Sequence, residues 1–420
     1  MSGVESPTAA RPIRSEQKPR SHKMNKSALV LSDTEQELER CHRALGTRWN
    51  LTTTLDSDDA LAKLNGQPYS VLLVGDTVES TIYESFAREA QRALPSTPLI
   101  RFGRQSTSKQ IAFRSRENSW QLQPNGNERE PIADQLARKL LKQQLKGDEG
   151  LRRLVPKITT LPSWRDVYQK VVNEINSPNG SLGRVAELVE DDPLLTARIL
   201  KTANSAAFGF RRRISDPHQA VMLLGGERLK SILIFTVVLS VTEYNQCQGF
   251  NPEKFWSRCV QSAELARAIM TSGTRDLTQI DSAFTAGLVH DIGRLLMAVN
   301  IPDTYGDIIA AHTADKTPLQ SEEYRLLGTS HTELGTHILE TWDLPYPILE
   351  ATLWHHDPER VPTDELSPLA AVFAADAILT ERQANPENDD TLRTQVYRQA
   401  TRMFTEERLS EWLPKKPDED

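Results

Sequence analysis

AFTAGLVHDIGR, residues 283–294, is the stretch around which the rest of the chain is organised. An apolar run (Phe284, Ala286, Leu288, Val289) delivers His290 and Asp291 side by side, and Gly293 follows where the backbone must bend or pack closely. Sequence neighbours on a helix diverge by about 100°, so the pair meets at one point only if both residues line a cavity. Imidazole and carboxylate at such a point form a hydrogen-bond node or a divalent-metal node. A buried histidine satisfied by its neighbour reads equally well from these two residues alone, and the other histidines decide between them.

The bulk numbers bound the reading. At 420 residues there is room for two or three domains, and 38% hydrophobic with 25% charged residues describes globular domains with polar appendages. No apolar run approaches the roughly 20 residues of a membrane span; the best, Ile232 to Val241, suits a buried helix. Residues 1–26 are basic without an apolar core and are expected to be a disordered leader rather than a secretory signal. Cys41, Cys247 and Cys259 form no CxxC, which argues against a disulfide framework and suits a cytoplasmic location. A formal net charge of -7 gives no overall attraction to nucleic acid or to a membrane surface.

From Ser27 short apolar strands alternate with amphipathic stretches. Strands are expected at 27–33, 51–55, 69–76 and 98–103, with helices at 34–45, 58–64 and 82–93, the first capped by Asp33 or Thr34. The alternation predicts an α/β doubly wound parallel sheet whose functional edge is the carboxyl end of its strands. Residues 104–130 are polar and expected to be in part loop, and Ile132 to Leu145 has helical spacing (Ile132, Leu136, Leu140, Leu141).

Residues 27–145 resemble the receiver domain of response regulators, with a flavodoxin-like fold. The resemblance implies a phosphorylation site at the strand ends, and the residues there depart from it. The paired acids fall on Ser32 and Asp33, the phosphoacceptor on Gly75 with Asp76 one residue late, the hydroxyl position on Gly103, and the lysine on Gln123 before Pro124. Phosphoryl transfer needs a metal and a cation at this edge, so the domain is expected to be a pseudo-receiver that works by contact, with Asp76 as a shifted acceptor being the other reading.

After a linker at 146–151 nearly everything is expected to be helical. Helices are expected from Trp164 to Ile175, from Ser181 as a cap, and from Pro193 as a first-turn residue, with His218 capping a later one. The phrases LPSW, EDDPLLTARILKTANSAAFG, QAVMLLG, GLVHDIGR, GTSHTELGTHILETWDLP and WHHDP together resemble the HDOD domain, an all-α output module of bacterial signalling proteins related to HD-type metal phosphohydrolases, here over residues 152–400 with a tail at 401–420.

The resemblance implies a former metal site made of His290, Asp291, His331, His355, His356 and Asp376. The early histidine of the pattern falls on Arg258, which has no lone pair for a metal; pairing with Asp291 or Asp376 is expected instead, with Cys259 as a conceivable substitute ligand. The cyclic-dinucleotide phosphodiesterases of the wider family carry a Gly-Tyr-Pro loop that DPERVPTDE lacks, and Arg294 stands where they have lysine. Arg211, Arg212 and Arg213 could grip phosphates or be a solvated run. The expected function is signal transduction without catalysis or cofactor, through a protein partner or nucleotide ligand. The alternative is a metal-dependent phosphodiesterase acting on a cyclic dinucleotide or another nucleotide through His290, Asp291, His331, His355 and Asp376.

Overall fold

The computed structural model describes residues 26–46, 49–64, 68–95, 97–104, 111–115, 131–159, 166–191, 193–204, 208, 214–239, 247–358, 361 and 366–383. The first part runs β1 (Ser27–Leu31), α1 (Glu35–Leu45), β2 (Asn50–Thr54), α2 (Ser57–Leu64), β3 (Val71–Gly75), α3 (Ser80–Ala93), β4 (Leu99–Arg104), β5 (Ile111–Ser115) and α4 (Ile132–Gly147). The sheet order is β2-β1-β3-β4-β5. The first four strands pair in parallel, and β5 lies antiparallel to β4. The four expected strands pair in parallel as read, and β5, inside the stretch read as partly loop, adds an antiparallel edge strand, which needs no crossover helix.

Side-chain alternation divides the sheet into two faces. Leu29, Leu31, Leu72 and Val74 pack with Ala60, Leu64, Tyr83 and Phe86 of α2 and α3. Ala28, Val30, Leu73 and Phe102 pack with Cys41 and Leu45 of α1 and with Leu136, Leu140 and Leu141 of α4. Thr34 caps α1 by accepting from the Glu37 amide, as one of the two expected residues. Trp49 Nε1 donates to the Ala133 carbonyl at 3.3 Å and fixes the start of α4.

The second part is helical among the described residues: α5 (Glu149–Leu154), α6 (Asp166–Asn176), α7 (Leu182–Glu190), α8 (Pro193–Ala203), α9 (Pro217–Leu224), α10 (Gly226–Leu239), α11 (Pro252–Gly273), α12 (Leu277–Val289), α13 (Ile292–Asn300), α14 (Pro302–Asp315), α15 (Leu319–Leu327), α16 (His331–Thr341), α17 (Tyr346–Trp354) and α18 (Pro368–Gln383). Ser181 caps α7, and Pro193 opens α8. The cap of α9 is Asp216, whose carboxylate accepts from the His218 amide, and not His218 itself. A short carboxylate one residue before the N1 proline fits that role better than an imidazole. None of the described helices is long and apolar enough to cross a membrane.

The central layer is α11, α12, α17 and α18, with α13 and α16 crossing beside them. The apolar side chains of these six helices, such as Leu288, Leu295, Leu339 and Leu349, are fully buried, each contributing about 2 kcal/mol by removal from water. The core is continuous with the α1/α4 face of the sheet. Helix α4 packs against α1 on one side and against α16 and α17 on the other.

Candidate metal centre

The break between α12 and α13 solves the divergence of His290 and Asp291. His290 is the C-cap of α12, and Asp291, at φ -97° and ψ 10°, is the N-cap from which α13 sets off in a new direction. Their side chains then reach one place, with His290 Nε2 3.7 Å from Asp291 Oδ2. Two residues on, Gly293 lies flat against the backbone at the start of α16. A Cβ there would overlap the His331 carbonyl oxygen and come within 2.7 Å of its carbon and 2.9 Å of its Cα. Glycine at 293 is what lets α13 approach the residue that supplies the next imidazole. His331 opens α16 behind a capping box made by Ser330 and Glu333. His355 and His356 follow the end of α17.

Each of the three buried imidazoles is held by its Nδ1. His290 Nδ1 donates to the Gly287 carbonyl at 2.8 Å, His355 Nδ1 to the Thr352 carbonyl at 2.9 Å, and His331 Nδ1 to Glu323 Oε2 at 2.6 Å. All three partners are pure acceptors, so the ring proton sits on Nδ1 and a neutral ring turns a bare Nε2 inward. Asp291 Oδ1 lies 3.4 Å from His331 Nε2 and 3.5 Å from His355 Nε2, and His331 Nε2 is 3.1 Å from His356 Nε2. Donor atoms at 2.0–2.1 Å around a tetrahedral zinc ion are roughly 3.4 Å apart. One atom from each of Asp291, His331, His355 and His356 falls within 4.8 Å of the others.

Among the described residues, His290 Nε2, Asp291 Oδ1 and His355 Nε2 are buried without a hydrogen-bond partner. Leaving such groups unpaired costs about 1–3 kcal/mol each, and a cation among them would satisfy the last two together. The donor set, three imidazole nitrogens and a carboxylate oxygen, therefore fits a single divalent first-row transition metal.

Charge around the pocket is arranged by neighbours. Burial alone would raise the Asp291 carboxyl, yet Arg294 Nη1, 2.8 Å from Oδ2, and then His290 hold it well below its ordinary 3.8. Burial keeps His290 below its ordinary 6.5. For His331 burial opposes the charge, but Glu323 outweighs it and the value rises. Glu323 also accepts from the His331 amide at 3.0 Å and from Tyr305 Oη at 3.2 Å. A carboxylate behind a ligating histidine fixes the ring and raises its basicity.

Asp376 stands on the far side, 3.9 Å from His290 Nε2. Arg258 Nη2 donates to Asp376 Oδ1 at 2.6 Å and to Thr380 Oγ1 at 2.7 Å. A guanidinium thus sits on the carboxylate at the position where the resemblance calls for a histidine. The partner is Asp376; Asp291 takes Arg294 instead. Cys259 is fully buried, burial first and then Asp291 push its thiol well above 9, and its sulfur is not among the converging donor atoms of Asp291, His331, His355 and His356. The roles of Glu323 and Tyr305 have no sequence signal, since glutamates and tyrosines eight or more residues from a histidine are commonplace on helix faces. Arg211, Arg212, Arg213 and Gln123 lie outside the described residues.

At the carboxyl end of the strands, Gly75, where the resemblance would put a phosphoacceptor, is covered by another side chain. Glu37, from α1, lays its buried carboxylate over Gly75. A Cβ at 75 would overlap Glu37 Oε2 and come within 3.0 Å of Ser32 Oγ. Ser32 Oγ and Thr77 Oγ1 donate to Glu37 Oε2 at 2.7 and 2.8 Å, and Thr77 Oγ1 also bonds Asp33. Asp76 turns aside toward Arg101, whose Nε is 3.7 Å from its Oδ1. Neither Glu37 nor Arg101 was expected from the sequence.

Residues 161–358 match the family model of the HDOD domain, so the chain carries an HDOD domain there, a narrower span than the 152–400 read from the phrases. A protein of Treponema pallidum (strain Nichols), described as uncharacterized, is 23% identical over 223 residues. That match covers 53% of this chain and 42% of the relative, so the chain spans less than half of the relative's length. Among solved structures, an HDOD domain protein of unknown function from Geobacter sulfurreducens is 25% identical, covers 63% of this chain and 89% of its own, and superposes with a TM-score of 0.50. The MmoQ response regulator of Methylococcus capsulatus strain Bath is 24% identical over 61% of this chain and 98% of its own, with a TM-score of 0.33.

Proposed function

We propose that this chain is a bacterial, cytoplasmic signalling protein in which a receiver-like domain that takes no phosphoryl group is coupled to a non-catalytic HDOD output module, acting by binding a protein partner or a nucleotide-like ligand. One observation carries the reading: in both domains the place that chemistry needs is filled by another side chain. Glu37 lies over Gly75, where a phosphoacceptor would stand. Arg258 holds Asp376 where a ligand for a metal would stand. The order of strands in the sheet supports the receiver-like reading, and the antiparallel β5 marks its departure.

Asp291, His331, His355 and His356 would hold one divalent cation, whose charge would offset the Asp291 carboxylate and fix the three rings in place. The chain's own groups neutralise the pocket in part: Arg294 on Asp291 and Arg258 on Asp376 place two fixed positive charges beside the donors. With four protein donors a tetrahedral ion would be closed, which is the pattern of structural rather than catalytic sites.

The convergence of unpaired Nε2 atoms on Asp291 favours a second reading, a metal-dependent phosphodiesterase acting on a cyclic dinucleotide or another nucleotide. Incubating full-length protein with cyclic dinucleotides in manganese or zinc, and separately with acetyl phosphate, tests both. The expected result is neither hydrolysis nor a phosphoryl adduct by intact mass. Turnover that disappears in Asp291→Ala establishes the second reading.

A further inference from the structure

Helices α16 and α17 form an antiparallel hairpin whose two ends do different things. At its open end stand His331, at the start of α16, and His355 and His356, just after α17. At its closed end, about 16 Å away for an eleven-residue helix, stand Glu340, Asp343 and Tyr346. Every one of these meets the N-terminal part of the chain. Lys142 Nζ pairs with Glu340 Oε1 at 2.7 Å, and Arg138 Nη2 with Asp343 Oδ1 at 2.6 Å, both from α4. Lys26, immediately before β1, lies 5.1 Å from the centroid of the Tyr346 ring. Its ammonium reaches Glu350 Oε1 at 2.6 Å, and the Lys26 and Glu350 side chains are only 14% and 8% exposed. Tyr346 Oη donates to the same Glu350 oxygen at 2.9 Å.

The linker touches the open end as well. In α5, Gly150 packs on the backbone of Gly328, and a Cβ there would come within 2.8 Å of the Thr329 amide nitrogen, two residues before His331. The run from α4 into the linker, residues 138–150, therefore touches both ends of the α16 region.

We infer that the α16–α17 hairpin couples the seating of the N-terminal domain to the positions of His331, His355 and His356. The hairpin is one packed unit, with Leu334, Ile338, Leu339, Ile348, Leu349 and Leu353 all buried, so it moves as a body and not by bending. A shift of α4 or β1 at its closed end is delivered to the three imidazoles at its open end. By linkage, anything bound among those imidazoles tightens the seating of the N-terminal domain by the same factor. A partner that pulls on α4 or on the sheet would loosen the pocket, and a pocket ligand would resist that partner.

The second half of this inference rests on the cation reading of the pocket; the first half does not. Hydrogen–deuterium exchange on the full chain separates them. Arg138→Ala/Lys142→Ala removes two ion pairs at the domain surface, and Lys26→Ala removes the buried one. The surface pair keeps the test decisive if Lys26→Ala fails to fold. The expected result is faster exchange of amides 328–334 and 353–357, together with a loss of zinc affinity of roughly fivefold or more by calorimetry. Loosening of α4 with unchanged exchange in those two segments overturns the coupling. If wild-type protein takes up no zinc, the cation reading fails, and the exchange data still decide the coupling.

Discussion

Gly293→Ala adds one methyl group at the point where the pocket is assembled. Alanine in place of glycine within a helix gains at most about 1 kcal/mol. Against this, the new Cβ would overlap the His331 carbonyl oxygen and stand 2.7 Å from its carbon, where carbon atoms prefer roughly 3.5–4.0 Å. Every overlapping atom is backbone, so no side chain can turn away. Helices α13 and α16 must separate by about 1 Å. Overpacking of this kind costs typically 1–3 kcal/mol, and a gap of that width forfeits roughly a quarter to a half of each dispersion contact along the seam. The net expectation is a loss of about 2 kcal/mol, or about 4–8 °C in the thermal midpoint of a unit this size. His331 moves with α16, so zinc affinity measured by calorimetry falls too. Gly335→Ala is the control: its nearest neighbours, Ile292 Cγ2 at 3.1 Å and Gly293 N at 3.2 Å, leave more room, and it should cost less. A Gly293→Ala protein as stable as wild type, with undiminished zinc affinity, refutes the close-approach reasoning.

Gly75→Asp should destabilise the N-terminal domain by about 2 kcal/mol in urea denaturation, because it drives a second carboxylate into Glu37; Gly75→Asp/Glu37→Ala should recover most of the loss. Arg258→Met leaves Asp376 without its counter-charge and should cost about 2–3 kcal/mol, whereas Arg258→Met/Asp376→Leu should return to within about 1 kcal/mol of wild type. Burial would raise the Asp376 carboxyl, but Arg258 and then His290 hold it below 3.8. A carboxyl depressed in the folded state contributes stability that is fully present above 3.8 and is lost as pH falls through the folded value. Wild type should therefore lose more stability than Arg258→Met/Asp376→Leu on acidification below about pH 4, as read from thermal midpoints. Glu323→Gln should lower the His331 pKa, followed by the ring-proton shift in NMR, and weaken zinc binding by about 10–100-fold; an unmoved His331 titration counts against the positioning role of Glu323.

Much of this architecture was legible in the residues, and the reasons are physical. The strands at 27–31, 50–54, 71–75 and 99–104 announce themselves by apolar runs between amphipathic helices. Strand β5 does not, because IAFRS is five residues inside a polar stretch and an antiparallel edge strand needs no flanking helix. The imidazoles and Asp291 could be found because they lie in compact phrases, and Gly293 because a glycine after a buried turn signals close approach. What surrounds them could not. Glu323 and Tyr305 gain their roles only when α14 and α15 fold against α16, and nothing in their local spacing distinguishes them from a solvated helix face; Arg294 stands out in the sequence as a departure from lysine, but its pairing with Asp291 does not. Gly75 is visible in the sequence as a missing acceptor; that Glu37 occupies its place depends on where α1 points. The Arg258 substitution could be read, and its choice of Asp376 over Asp291 could not, since Arg294 settles it from one turn along α13.

The most direct measurement is the metal content, by elemental mass spectrometry, of full-length protein purified without chelator and then incubated with zinc or manganese, alongside His331→Ala. One equivalent of metal in the wild type, lost in the variant, is the predicted result, with Arg258 keeping a second ion from the Asp376 side. No metal in either protein contradicts the donor set as a cation site, and two equivalents contradict the assignment of Arg258 as the charge that fills the other half of the pocket.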